Sequence, residues 1–127
     1  MQKLTKAEEE VMQIIWKMER CTVSQILDYI ENDLQQDRPP HSSISSIVRI
    51  VEEKGFLDHK AYGRTYEYFP IISKEDYSKR TLKKVIQDYF NGSVQNMVSF
   101  LVKENDLSVS ELNEMLDKLD ETESKNA

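Results

Sequence analysis

A chain of 127 residues with 31% charged and 9% aromatic side chains has room for one domain, or two very small ones, and is too mixed in composition to be disordered. Its net charge of −6 is evenly shared, 9 basic against 12 acidic side chains in residues 1–72 and 8 against 11 in residues 73–127, which argues against a broad surface for coating nucleic acid. The single cysteine, Cys21, excludes an internal disulfide and a metal cluster, and no apolar run reaches the roughly 20 residues that span a bilayer. With no signal peptide at the start, a cytoplasmic chain without membrane insertion is expected.

Three glycines and three prolines leave few breaks, so helices should dominate. Thr5-Lys6-Ala7-Glu8 is a capping box. Val11, Ile14, Ile15 and Met18 follow at helical spacing, with Leu4 and Trp16 flanking the same core. Thr22-Val23-Ser24-Gln25 is a second capping box, opening a helix from about Val23 to Leu34 that buries Val23, Ile26, Leu27 and Ile30. A polar loop ends in Pro39-Pro40, which forbids helix continuation.

The next stretch, HSSISSIVRIVEEKGF at 41–56, reads as a third helix with Ile44, Ile47, Val48 and Val51 on one apolar stripe. Its other side carries Ser42, Ser45, Ser46 and Arg49, although serine is a mediocre helix former. After Gly55 the period changes to about 2. Phe56–Ala61 and Arg64–Phe69 read as two strands joined by a Tyr62-Gly63 turn and closed by Pro70. Three short helices followed by a β-hairpin is the order of a winged helix-turn-helix, with the serine helix where the recognition helix belongs.

Short hydroxyls let a helix sit deep in the major groove of double-stranded DNA. The expected DNA contacts are Ser42, Ser43, Ser45, Ser46 and Arg49 on the third helix and Lys60 and Arg64 on the hairpin. A second reading has Ser42 and Ser43 capping the helix and the remaining serines merely solvated. Lys54, His59, Lys60 and Arg64 against Asp58 make the most basic window of the first half.

From Ser73 the chain is helical again. Tyr77, Leu82, Val85, Ile86, Tyr89 and Phe90 form one apolar face as far as Asn91-Gly92. A helix capped by Ser93 holds Met97, Val98, Phe100, Leu101 and Val102. Ser108-Val109-Ser110-Glu111 is a further capping box, starting a helix with Leu112, Met115, Leu116 and Leu119; a frayed tail follows Glu121. The expected fold class is mainly α with a small β-hairpin wing: a winged helix at 1–72 and a three-helix domain at 73–127. The apolar faces of that domain could fold back as one core or pair with a second chain. Pairing is favoured because one reading helix gives limited specificity and a two-fold dimer spans two half-sites. Tyr89, Val98, Leu101, Leu112, Met115 and Leu116 are the candidate dimer contacts.

Cys21, His41 and His59 lack paired ligand spacing, so no metal is expected. Glycine-rich phosphate loops are absent, and no acid, base and nucleophile constellation occurs, so the chain reads as a non-enzyme without a cofactor. The rival class is a winged-helix module that binds another protein through the same helix and wing.

The segments LTKAEEEVMQIIW, SSISSIVRIVEEKGFLDHKAYGRTYEYFP and ENDLSVSELNEML, taken in order, resemble the BlaI/MecI family of bacterial penicillinase and methicillin-resistance repressors over nearly the whole chain. The resemblance implies a homodimer on a palindromic operator, with the C-terminal helices swapped around each other. It also implies cleavage within the second C-terminal helix by a membrane-anchored zinc metalloprotease sensor, typically at an Asn-Phe bond. Here the matching stretch is NMVSFLVKENDLS, without Asn-Phe; Phe100-Leu101 and Ser99-Phe100 are the two candidate bonds. Copper-responsive relatives carry a cysteine-rich tail, whereas this chain has Glu121-Thr122-Glu123-Ser124-Lys125-Asn126-Ala127, so copper sensing is not expected.

Overall fold

Both early capping boxes form. The computed structural model describes residues 3–105 together with Ser108, Ser110, Glu111, Asn113, Glu114, Asp117 and Lys118. In it the Thr5 hydroxyl and Glu8 carboxylate accept from each other's amides at the start of α1 (Lys6–Met18). Thr22 and Gln25 do the same for α2 (Val23–Asp28). The helix expected to run on to Leu34 instead widens into a π-type turn at Tyr29–Asp33, where the Leu34 amide donates to the Tyr29 carbonyl at 3.0 Å. The extra residue in the turn keeps Ile30 buried and leaves Leu34 exposed. Gln35, at a φ of 53°, then ends the helix.

Helix α3 (His41–Glu53) buries Ile44, Val48 and Val51, with Ile47 half-buried at the edge of the core. Gly55, at a φ of 89°, lets its own amide and that of Phe56 turn back onto the carbonyls of Glu52 and Val51. This C-terminal cap explains one departure from expectation. Phe56 is not the first strand residue but a fully buried core side chain, dropped into the interior by the cap.

Strands β1 (Leu57–Tyr62) and β2 (Thr65–Pro70) are antiparallel, with Tyr62 opposite Thr65 and Leu57 opposite Pro70. The two-residue turn is therefore Gly63-Arg64, one residue later than the expected Tyr62-Gly63. Gly63 has a φ of 63°, and glycine at the first of two turn positions suits the twist of a tight hairpin. Arg64 moves from the strand to the tip. One further pairing has no local signature: Cys21, between α1 and α2, exchanges both backbone hydrogen bonds with Tyr68, at 3.0 and 2.7 Å.

The chain divides into two compact units, Met1–Ser78 and Lys79–Ala127. In the first, Met12, Ile15, Ile26, Leu27, Val48 and Phe56 are core side chains shared by all three helices and the hairpin. The first turn of α4 (Lys74–Phe90) also belongs to this unit, beyond the boundary expected at residue 72. Tyr77 packs against Trp16 and Phe56, with ring centroids at 5.5 and 5.7 Å, and its hydroxyl bonds Glu9. The Trp16 indole N–H donates to the Ile72 carbonyl at 2.9 Å.

In the second unit, Asn91 and Gly92 turn the chain with positive φ into α5 (Val94–Asn105), and the Ser93 hydroxyl caps it by accepting from the Asn96 amide. Ile86 and Met97 are buried there, and Phe90 packs on Phe100 at 5.6 Å. Ser108 accepts from the Glu111 amide, and Ser110, Glu111, Asn113, Glu114, Asp117 and Lys118 are helical. Leu112, Met115, Leu116, Leu119 and the tail lie outside the described residues. The fold is mainly α with a β-hairpin wing on a helix-turn-helix. Among the described residues no helix is long and apolar enough to cross a membrane.

Candidate nucleic-acid interface

Helix α3 is held from behind by Ile44, Val48 and Val51, so its opposite side faces outward. Ser42, Ser46 and Arg49, at i, i+4 and i+7, form an exposed stripe; Ser43 and Ile50, both exposed, flank Ser46. The capping role considered for Ser42 and Ser43 is not taken up. The N-cap is Pro40, and no side chain caps the helix. Among the described residues the hydroxyls of Ser42, Ser43 and Ser46 have no hydrogen-bond partner. Ser45, half-buried, shares a 3.2 Å hydrogen bond with Nδ1 of His41 one turn earlier.

Between α3, the start of α2 and the wing runs a groove lined by Thr22, Ser24, His41, Ser45, Arg49, Arg64, Thr65 and Tyr66, among others. Of the seven expected DNA contacts it brings together three: Ser45, Arg49 and Arg64. Three other cations of the first unit are neutralised. Arg38 pairs with Asp28 at 2.8 Å, Arg20 lies 3.9 Å from Glu67, and Lys54 meets Glu8 at 2.5 Å. Among the described residues Arg49 and Arg64 have no carboxylate partner. In a chain of net charge −6, two cations kept free of acids on one groove form a local positive site.

Lys60 is not part of that groove. Alternation along β1 sets Leu57, His59 and Ala61 on one face and Asp58, Lys60 and Tyr62 on the other. The register puts Lys60 opposite Glu67, and its ammonium lies 5.4 Å from the Tyr62 ring centre. Tyr68, opposite His59 on the inner face, is buried. Burial, and then the Glu52 carboxylate, push its phenol up from the ordinary value while Arg49 opposes them. It stays protonated and neutral beside the groove.

Sequence reasoning missed Thr22, Ser24, His41, Thr65 and Tyr66 as groove residues. Thr22 showed only as a helix cap, and nothing local brings residues 22–24 beside residues 64–66; the Cys21–Tyr68 bridge does so. The cysteine itself is fully buried, and burial pushes its thiol up to about 11, leaving it an unreactive core residue. Glu52, Asp58 and His59 offer donor atoms within 4.8 Å of one another, the one such group among the described residues. Nδ1 of His59 is already hydrogen-bonded to Oε2 of Glu52 at 2.5 Å. A second cleft, about 1000 Å³, lies elsewhere, lined by Trp16, Tyr29, Leu34 and Ile47 among others, and none of the expected contacts touches it.

In the second unit Tyr89 is 78% exposed and Val85 and Val94 are also exposed, whereas Val98 and Leu101 are half-buried. Ser99 and Phe100 are exposed in the middle of α5.

The chain is 29% identical over 112 residues to the methicillin resistance regulatory protein MecI of Staphylococcus aureus (strain N315), covering 88% of this chain and 89% of that one. It is 27% identical over 118 residues to the penicillinase repressor of Bacillus licheniformis, covering 93% and 90%. The solution structure of the DNA binding domain of the repressor BlaI matches with a TM-score of 0.48 and 28% identity, over 61% of this chain and 94% of that one. Residues 4–121 match the model of the penicillinase repressor family, to which this chain belongs.

Proposed function

We propose that the protein is a homodimeric, cytoplasmic transcriptional repressor that binds a palindromic operator, with α3 in the major groove and the wing on the adjoining backbone. The single observation that carries this reading is the groove in which Arg49 and Arg64 are free of acids beside Ser45, on an otherwise acidic chain. The exposed serine stripe supports base reading, because short hydroxyls reach base edges where larger side chains cannot enter. The relatives' names, penicillinase repressor among them, support repression.

Dimerisation is supported by the open apolar side chains Val85, Tyr89 and Val94, which a second copy would cover. The switch we infer is cleavage in α5 at Ser99-Phe100 or Phe100-Leu101 by a membrane-anchored zinc metalloprotease sensor. Both bonds lie inside a helix, so cleavage requires local unwinding of α5.

The test is binding of the full chain to the promoter next to its own gene across a salt series. Specific binding that weakens as salt rises is expected, and Arg64→Ala should lower the log–log salt slope by about 1. Specific binding that is absent, or indifferent to salt, would instead favour a module that uses the same helix and wing to hold another protein.

A further inference from the structure

We propose that His59 is a positioning residue for operator recognition: bonded to Glu52 and stacked on Tyr66, it fixes the wing against α3 and so sets the separation of Arg64 from Arg49. The inference rests on the reading of this groove as the DNA surface.

A two-stranded hairpin is marginal on its own, and from Asp58 to Tyr66 no wing side chain is buried. Something other than core packing must hold the outer half of the wing in place. On the outer face Arg20 lies near Glu67 and the Phe69 ring, close to the base. On the inner face His59 projects toward α3, and its Nδ1 meets Oε2 of Glu52 at 2.5 Å. Among the described residues this is the one side-chain hydrogen bond between the wing and α3. Glu52 lies three residues beyond Arg49, on the next turn of the helix.

The other side of the imidazole reaches the wing tip. Its ring stacks on Tyr66 with centroids 4.2 Å apart and planes 16° from parallel, and Tyr68 lies 5.7 Å away. Tyr66 lines the groove next to Thr65 and Arg64. The run Arg49–Glu52–His59–Tyr66–Arg64 therefore links the two arginines of the groove through three intervening side chains. The Asp58 carboxylate accepts from the His59 amide at 2.7 Å, steadying the strand at the same point.

The charges allow a sharp test. Removing Glu52 deletes a negative charge beside a DNA groove, so plain electrostatics predicts tighter binding, whereas loss of a positioning group predicts weaker binding. The experiment uses the full chain and a duplex it enriches from a randomised library, with a scrambled duplex of equal length as reference. Glu52→Ala and His59→Ala should each weaken binding to the enriched duplex by about tenfold, the scale of one charge-assisted hydrogen bond. The double variant should be no worse than either single one, and binding to the scrambled duplex should hold.

His59→Gln, which keeps a donor toward Glu52, should recover most of the loss. The salt slope should stay at the wild-type value, because no phosphate contact is removed. If both alanine variants bind within about twofold of wild type, or Glu52→Ala binds more tightly, the positioning role is wrong while the DNA reading stands. A slope lowered by about 1 in His59→Ala would mean that His59 meets phosphate itself, which also overturns the proposal. If the wild-type chain enriches no duplex, the DNA reading fails first and the inference with it.

Discussion

Ser46 and Arg49 share one exposed stripe of α3, yet they should fail in different ways when truncated. Ser45→Ala or Ser46→Ala is expected to change which operator bases are tolerated, because a mismatched base pair costs about 1–3 kcal/mol and hydroxyls read base edges. Binding to variants of the operator mutated one base pair at a time measures this; uniform loss at every position would refute base reading. Glu8 offers a residue-scale test of stability. It is 6% exposed, and the Lys54 ammonium, ahead of the opposing effect of burial, holds its carboxyl below the usual range. A lowered folded value means that the pair stabilises the fold above the ordinary carboxylate range and that this contribution is lost as pH falls through the folded value. Lys54→Met should cost about 2 kcal/mol at neutral pH. In denaturant melts the gap to wild type should close as the pH drops below the carboxylate range.

At the scale of elements, what could be read in the sequence was what local chemistry decides. The Thr5 and Thr22 capping boxes, the stripe of α3 and the change of period after Gly55 depend on side chains three or four residues apart, and all formed as read. The π-type turn at Tyr29–Asp33 was not legible, since one additional residue in a turn leaves no mark on an apolar pattern already near its end. Nor was the Cys21–Tyr68 bridge, which joins residues 47 positions apart through backbone groups that every sequence carries. The hairpin turn was misplaced by one residue because Tyr62-Gly63 and Gly63-Arg64 both satisfy the rule that one turn residue tolerates positive φ. Gly63→Ala tests the observed register. A Cβ there would meet nothing within 4 Å, so the penalty is backbone strain alone, about 1–2 kcal/mol. The wing, rather than the helices, should lose amide-exchange protection in that variant.

At the scale of the molecule, the core from Leu4 to Tyr68 lies wholly within the first unit. Truncation in α5 should therefore spare the winged helix. A chain of residues 1–100 is expected to be monomeric in solution, to keep the amide-exchange protection of the winged-helix core, and to bind a full operator much more weakly than the intact chain, because one half-site supplies only part of the contacts. Sedimentation and operator titration side by side decide the matter; a truncated dimer, or undiminished affinity, would leave the proteolytic switch without a physical basis. The candidate site was half legible on this scale. The serine face and Arg64 could be named from composition and order of elements. Which cations were free could not, because neutralisation of Arg20, Arg38 and Lys54 depends on acids brought near by the fold, and strand alternation rather than charge removed Lys60 from the groove.

The placing of two acid-free arginines on one groove of an acidic chain has a kinetic consequence. A basic repressor adheres to any duplex in many orientations and slides along it; this chain, at −6, is repelled by DNA unless the groove leads. Encounters with random sequence should be brief and selective in orientation, with little one-dimensional scanning, so that the search for an operator proceeds mostly through solution. Residence on the correct site would then owe little to general adhesion and much to the matched contacts. A repressor of the proposed dimeric kind is expected to leave cleanly once one half-site is lost.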